Sequence, residues 1–280
     1  MIMTNPYKIG IDLGGTNLRV ALVNDGKIEN KFEKPLENKH DLNSTIDQLT
    51  SAIEHVIVPE VIGIGIGVPS VVDTQRGIVY NVANIPSWIE VHLKALLEEK
   101  FNLPVYVNND VNCFVLGEHA YGEARTYSSV VGLTIGTGLG AGIVIKNHLY
   151  EGNNTGAGEI GLLPYLEQNI EYYCSSSFFS EIHQSNGYEC YKKALEGNTK
   201  ALEIWDEFGK HFAQAIKCVV LAYDPQMIVV GGSISKSHRF FNASMLNGLN
   251  DFPFPKSIEK LKIAFTDNEN SNILGASLLF

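Results

Sequence analysis

The feature that most constrains this chain is a segment repeated within it. IGIDLGGTNLRVALVNDGKI, starting at Ile9, aligns without a gap with VGLTIGTGLGAGIVIKNHLY, starting at Val131, at an offset of 122 residues. Gly10 falls on Gly132 and Gly14 on Gly136, while Ile9, Ile11, Leu13 and Leu22 fall on Val131, Leu133, Ile135 and Val144. Each copy reads as an apolar strand, a glycine-rich turn, a second strand and a polar turn. In the first copy the polar turn is Asp25-Gly26, a pair that favours tight hairpins because both turn positions need positive φ. Glycine turns alone would not keep the strand residues in step. The repeat therefore predicts two related lobes, each opening with a glycine-turned hairpin.

The remaining chain alternates strand and helix. Leu42, Ile46, Leu49, Ile53 and Val56 form a helical stripe. Val61–Val68 alternates apolar residues with glycine, as a buried strand closely approached by its neighbours does. Ser87 and Glu90 have the spacing of a capping box before a helix carrying Ile89, Leu93 and Leu96. Val105–Val107 reads as a short strand running into Asn108, Asn109 and Asp110, followed by a helix to about Gly122. A long helix is predicted from near Asn198 to Tyr223, then a strand Met227–Val230, and a terminal helix from Ser271. Such alternation implies an α/β fold with ligands at the carboxyl ends of strands. We expect one lobe over residues 1–112 plus about 270–280, and a second over 113–269.

The chain has 280 residues, 45% of them hydrophobic, enough for a substantial core. The formal net charge of −10 comes without any basic stripe, which argues against a nucleic-acid partner. No stretch is long and apolar enough to span a membrane, and MIMTNPYKIGIDLGG does not read as a secretory signal. The four cysteines, Cys113, Cys174, Cys190 and Cys218, form no C-x-x-C pair, and a cytoplasmic location with free thiols is expected.

Chemistry concentrates in the glycine turns and one acidic segment. Asp12-Leu13-Gly14-Gly15-Thr16 follows a strand, and its glycines allow backbone N–H groups to approach a phosphate. Asp12 would hold Mg²⁺ through water and Thr16 would bond a phosphate oxygen; a purely structural turn fits these residues as well. Gly136-Thr137-Gly138-Leu139-Gly140-Ala141-Gly142 offers a second cradle at the same place in the second copy. Two such cradles suit a polyphosphate better than either alone. Gly231-Gly232 after an apolar strand is a third glycine site, with room for an adenine ring or simply a tight turn. Asp110, at a strand end and a helix start, reads equally as a helix cap or as a catalytic base.

These segments together resemble the ROK family of sugar kinases and sugar-responsive repressors, within the hexokinase–actin–heat-shock ATPase superfamily. Asp12-Leu13-Gly14-Gly15-Thr16-Asn17 looks like the family's first phosphate motif, Ile135–Gly142 its second, and Val229-Val230-Gly231-Gly232-Ser233 its adenosine motif. Asn109-Asp110-Val111-Asn112 resembles its catalytic segment and Asn84-Ile85-Pro86-Ser87-Trp88 its sugar-side loop. Gly158-Glu159-Ile160-Gly161 resembles the start of its Gly-Glu-x-Gly-His motif, and Leu274-Gly275-Ala276 its closing helix.

The resemblance implies two RNase H-like, actin-like ATPase lobes with a cleft between them. It implies ATP and Mg²⁺ as cofactors, a hexose substrate and a homodimer. It makes Asp110 the general base, with Asn84, Asn109, Glu159 and Glu181 on the sugar. Gly14, Gly15, Thr16, Asn17, Gly136, Thr137, Gly138, Gly231 and Gly232 would hold the nucleotide. Repressors of the family carry a DNA-reading region ahead of the first phosphate motif; here about a dozen residues precede it, and a kinase is expected. A catalytically impaired sugar or nucleotide binder of the same family is the alternative.

The departures fall at the family's zinc loop. Its motif histidine is Leu162 here, Tyr172 and Phe179 stand where two of three cysteines would be, and Ser175 and Phe178 replace glycines. Cys174 and Glu181 remain, with His183 and Cys190 as further donors nearby. One thiolate cannot hold tetrahedral zinc, so no zinc site is expected and aromatic packing is predicted in its place. Ser70, where many members have glycine beside the sugar, is a further departure.

Overall fold

The computed structural model describes residues 6–280. The chain divides into two compact units. The first comprises the chain up to Arg125 together with Leu149–Ala157 and Glu269–Phe280, and the second comprises Thr126–His148 with Gly158–Asn268. The first unit thus continues beyond residue 112 and takes in a strap, Leu149–Ala157, that both leaves and re-enters the second unit along the chain.

The sheet of the first unit contains β1 (Tyr7–Leu13), β2 (Asn17–Asn24), β3 (Lys27–Pro35), β4 (Val61–Val68) and β5 (Val105–Asn109) in the order β3-β2-β1-β4-β5. The sheet of the second contains β6 (Val130–Ile135), β7 (Leu139–Ile145), β8 (His148–Leu149), β9 (Met227–Gly231) and β10 (Lys262–Phe265) in the order β8-β7-β6-β9-β10. The two orders are the same. In each, the opening hairpin is antiparallel and its first strand is parallel to the next strand inward. Asp25 and Gly26 both have positive φ between β2 and β3, and Lys146 and Asn147 do the same between β7 and β8. Both polar turns are therefore of the tight hairpin kind.

The repeat holds through the first strand and slips by one residue after the turn. Ile9 pairs with Leu22 across the first hairpin, while Val131 pairs with Ile143 across the second. The counterpart of Leu22 is therefore Ile143 and not Val144. The cause is turn length: Leu13 pairs with Leu18, but Ile135 pairs with Leu139, so the second glycine turn is one residue shorter. A gapless alignment conceals this because Val20–Val23 and Ile143–Ile145 are unbroken apolar stretches, so Leu22 meets an apolar residue in either register.

Helix α1 (Leu42–Val56) is capped by Asp41, which accepts from the Ser44 N–H, and buries Leu49, Ala52, Ile53 and Val56 against the first sheet. The capping box predicted at Ser87 is not formed. Glu90–Val91 is instead a short strand pairing with Val79 and Tyr80, Ile89 is 68% exposed, and α2 (Leu93–Phe101) starts after His92 with no side-chain cap. Cross-strand pairing overrides the local signal there. Helix α3 (Asp110–Tyr121) follows β5 directly, and the terminal helix α4 (Ser271–Ala276) packs across it.

The glycines of β4 have a specific role. A Cβ on Gly65 would overlap the Ala276 carbonyl oxygen of α4, and one on Gly67 would meet the Asp110 Cα at 3.2 Å. Both helices lie on glycine-paved strand backbone. We expect Gly65→Ala to destabilise the protein by about 1–3 kcal/mol through overpacking, read as a lowered midpoint in denaturant unfolding. A stability equal to that of the parent would show that α4 can ride away from the sheet.

In the second unit the long helix α5 (Thr199–Tyr223), capped by Asn198, buries Trp205, Phe208, Phe212 and Ile216. Together with Phe178, Phe179 and Phe241 these form a core of interlocked rings. Cys113, Cys174 and Cys190 are buried and Cys218 partly so, all as free thiols. Among the described residues no helix is long and apolar enough to cross a membrane.

Candidate active site

Strand direction brings the first unit's candidate residues to one end of its sheet. β1 ends at Leu13, β4 at Val68 and β5 at Asn109, and all three run parallel. The first glycine turn, Ser70 and the Asn109-Asp110 pair therefore share the carboxyl edge, as expected for an α/β sheet. The Gly14 N–H donates to the Asn17 carbonyl at 2.9 Å and closes the turn, with Thr16 and Asn17 exposed beside it. A Cβ on Gly15 would overlap Asn84, coming within 2.9 Å of its Cγ. The first glycine turn and the loop carrying Asn84 thus touch, and glycine is what allows it.

The helix-cap role belongs to Asn109 and not to Asp110. Asn109 Oδ1 accepts from the N–H groups of Val111 at 2.8 Å and Asn112 at 3.3 Å, and its Nδ2 donates to the Ser70 carbonyl at 3.3 Å. Asp110 is the first helical residue, partly exposed, with Oδ1 accepting from the Val111 N–H at 2.9 Å.

Four further residues that belong to none of the motifs join this network or the first glycine turn. Asn108 is buried, and its Oδ1 accepts from the Asn109 N–H at 2.8 Å and from Asn112 Nδ2 at 2.9 Å. Its Nδ2 donates to Glu151, which reaches it from the strap. The strap is anchored by Thr155, a buried residue at φ 57°, whose hydroxyl accepts from the Val72 N–H at 2.8 Å. Lys39 donates to the Gly15 carbonyl and so brings a cation to the first glycine turn.

Asp12 is buried and already paired. The Arg19 guanidinium donates to its carboxylate, and Arg19 Nη1 donates to the Glu269 carbonyl at 2.8 Å. Burial pushes the Asp12 carboxyl up, against the pull of Arg19 and of a bond from Asn272. A carboxylate so committed suits an outer-sphere contact to Mg²⁺ through water and does not suit direct ligation.

In the second unit the shorter turn, Gly136 to Gly138, is closed by the Gly136 N–H donating to the Gly138 carbonyl at 3.0 Å. Thr137, at its tip, is exposed. A Cβ on Gly232, which has φ 95°, would overlap the Ile135 carbonyl oxygen, and one on Gly136 would sit 3.4 Å from Ser233 Oγ. The Gly231-Gly232 turn therefore abuts the second glycine turn. Glu159 lies in a turn laid on β7. A Cβ on Gly158 would overlap the Ala141 carbonyl, and one on Gly161 would lie 2.7 Å from the Leu139 carbonyl. The Gly-Glu-x-Gly pattern is explained by that close approach. Leu162 is 60% exposed at the end of this turn, and Glu181 is exposed with Ser180 Oγ donating to it at 3.0 Å.

Partial burial, and then the neighbouring charge of Glu171, push the Glu159 carboxyl above its ordinary value of 4.5. The folded chain therefore holds this proton more tightly than the unfolded chain does. This group subtracts stability as pH rises from 4.5 through its folded value. Its acceptor form is complete only above that value. On the expectation that Glu159 accepts from a sugar, affinity should fall as pH drops through that value, with an acid limb above that of an ordinary glutamate; calorimetric titration across pH checks this, and an affinity flat with pH would exclude Glu159 as a sugar contact.

The residues of the would-be zinc loop do not suit that metal. Phe178 and Phe179 are fully buried, Phe179 at 4.7 Å from Trp205 and stacked on Phe208 at 5.5 Å between ring centroids. Burial pushes the Cys174 thiol far above its ordinary range, opposing the thiolate a zinc ligand must be. His183 faces Glu207 at 3.4 Å and the Cys190 thiol is directed at the Ala201 carbonyl at 3.7 Å. Among the described residues no group of three or more His, Cys, Asp or Glu could hold a metal ion.

Known proteins share both the sequence and the fold. The chain is 27% identical over 302 residues to a glucokinase of Thermotoga maritima, covering 96% of this chain and 95% of that one. It is 28% identical over 279 residues to a xylose repressor of Bacillus spizizenii, covering 89% and 70%. A ROK family glucokinase from Streptomyces griseus, solved with glucose and AMPPNP, superimposes with a TM-score of 0.80 at 23% identity and 98% coverage of each chain. The two chains thus share one fold over nearly their whole length. A profile of the ROK family matches residues 8–280, and a match of that extent, over the turns and strand ends just described, makes this chain a member of the ROK family.

Proposed function

We propose that the protein transfers the γ-phosphate of ATP to a hydroxyl of a hexose or hexose derivative. The observation that carries the reading is the shared edge in the first unit, where a glycine turn touches Asn84 and the Asp110 carboxylate stands at the first position of α3, behind the Asn109 cap. Phosphoryl transfer asks for positioning and charge stabilisation more than for covalent chemistry. Asp110 takes the proton of the sugar hydroxyl as its oxygen bonds to the γ-phosphorus and the bond from that phosphorus to the ADP oxygen breaks. Asn84, Glu159 and Glu181 orient the sugar, and Asn109 contributes through the amide hydrogen its cap leaves over. The N–H groups of the two glycine turns and Lys39 take the phosphates, and Asp12 would help hold a Mg²⁺, which would supply charge neutralisation. The relatives named glucokinase support the reading at the family level.

The xylose repressors match at similar identity and favour a second reading, a sugar-responsive protein without turnover. A coupled ADP-release screen over glucose, fructose, mannose, N-acetylhexosamines and β-glucosides separates the two. The expected result is Mg²⁺-dependent ADP release with at least one sugar. Sugar binding by calorimetry with no ADP release from any of them would replace the kinase by the binder.

A further inference from the structure

Glu171 belongs to none of the motifs, yet it touches two of them. It lies in the five-residue helix Ile170–Cys174, which is capped by Asn169 accepting from the Tyr172 N–H. Its Oε2 accepts from the Leu139 N–H at 2.8 Å, at the point where the second glycine turn enters β7. A Cβ on Gly138 would lie 2.6 Å from the same oxygen, so the carboxylate rests directly on the turn. On its other side, a Cβ on Gly161 would lie 3.2 Å from the Glu171 Cβ. Gly161 follows Glu159 in the turn laid on β7. The same segment holds the glycine turn from a second direction: the Ser176 N–H donates to the Gly136 carbonyl at 2.8 Å, and Ser176 Oγ donates to the Thr137 carbonyl at 3.2 Å.

We infer that Glu171 is a positioning residue that fixes the second glycine turn and ties it to the turn carrying Glu159. On the kinase reading, one side chain thereby links the nucleotide's phosphate turn to a sugar-binding carboxylate. Two consequences follow from the contacts. A backbone N–H bonded to a carboxylate is held harder than one bonded to a neutral acceptor, so the turn's shape is set before nucleotide arrives. The negative charge of Glu171 also bears on Glu159, where it is the charged group acting on that carboxyl, and disfavours its ionisation. Removing the charge and removing the hydrogen bond are separable, because glutamine still offers an amide oxygen to the Leu139 N–H.

The test compares Glu171→Gln with Glu171→Ala in the full chain, first without ligands. Carbon-detected NMR follows the Glu159 carboxyl, and hydrogen exchange follows the Leu139 amide. The Glu159 midpoint is expected to fall in both variants. Exchange at Leu139 is expected to quicken at least about tenfold in the alanine variant, as for a lost charged hydrogen bond, and to be restored by glutamine. Affinity for AMPPNP, by calorimetry, should weaken about tenfold in the alanine variant and stay within about twofold of the parent with glutamine. An unmoved Glu159 midpoint, or a glutamine variant as exposed at Leu139 as the alanine one, overturns the inference. So does an AMPPNP affinity indifferent to both changes in a parent that binds it. A parent that binds no nucleotide sinks the kinase reading instead, and the ligand-free measurements then decide the role of Glu171 by themselves.

Discussion

Replacing Asp110 by Asn is expected to lower kcat by ~10²–10⁴-fold, the range typical of losing a general base. The substitution is unusually clean here. The cap of α3 is made by Asn109, whose side chain accepts from Val111 and Asn112. The bond that Asp110 Oδ1 accepts from the Val111 N–H at 2.9 Å can be accepted equally by an asparagine oxygen. The helix start should therefore survive, and what is lost is the ability to take a proton. Sugar affinity, measured by calorimetry, should change far less than kcat. The companion Asn109→Ala variant removes the cap and should cost ~1 kcal/mol of stability. A near-normal kcat in Asp110→Asn would leave the base unassigned, whatever the stability of either variant.

Phe179→Ala is expected to have the largest effect on stability, about 3–5 kcal/mol, the usual cost of deleting a buried phenylalanine. Phe179 is fully buried and packs on Phe178, Trp205 and Phe208. The loop that precedes it buttresses the second glycine turn, and Glu181 follows two residues later, so looser sugar binding should accompany the lost stability. A chelator, in contrast, should leave the melting temperature unchanged, and elemental analysis should find no stoichiometric zinc. The physical reason is one of substitution. Where related loops are expected to be tied by metal–thiolate bonds, this loop is held by ring packing, and the surviving thiol of Cys174 is too deeply buried to ionise readily. One zinc per chain, or a melting transition that collapses on chelation, would overturn the assignment of that role to the aromatic core.

The parts of this protein that were legible in the sequence are those with local causes. Strand Val61–Val68, the Asp25-Gly26 turn, α1, α3 and the long α5 each announce themselves through periodicity, glycine placement or a capping residue within a few positions of the element itself. The duplicated hairpin was legible for the same reason, and it carried the doubling of the sheet with it. The candidate site was legible wherever chemistry and backbone geometry select the same residues, as at Gly14-Gly15 and Gly158-Glu159.

What the tertiary structure alone decided depends on residues far apart in the chain. Turn length ahead of a locally unbroken apolar stretch is invisible to pattern, so the one-residue slip between hairpins needed the registers themselves. The Ser87 and Glu90 signal failed because pairing with Val79 and Tyr80 outweighs a cap of about 1 kcal/mol. The Arg19 hold on Asp12, the reach of Glu151 to Asn108 and the seat of Glu171 on the second glycine turn join groups that no spacing rule connects. Local sequence determines which backbone segments form and where a phosphate-sized turn lies. Which carboxylates are buried, paired or left to act is settled only when distant segments meet, because a charge's state depends on its surroundings and not on its neighbours in the chain.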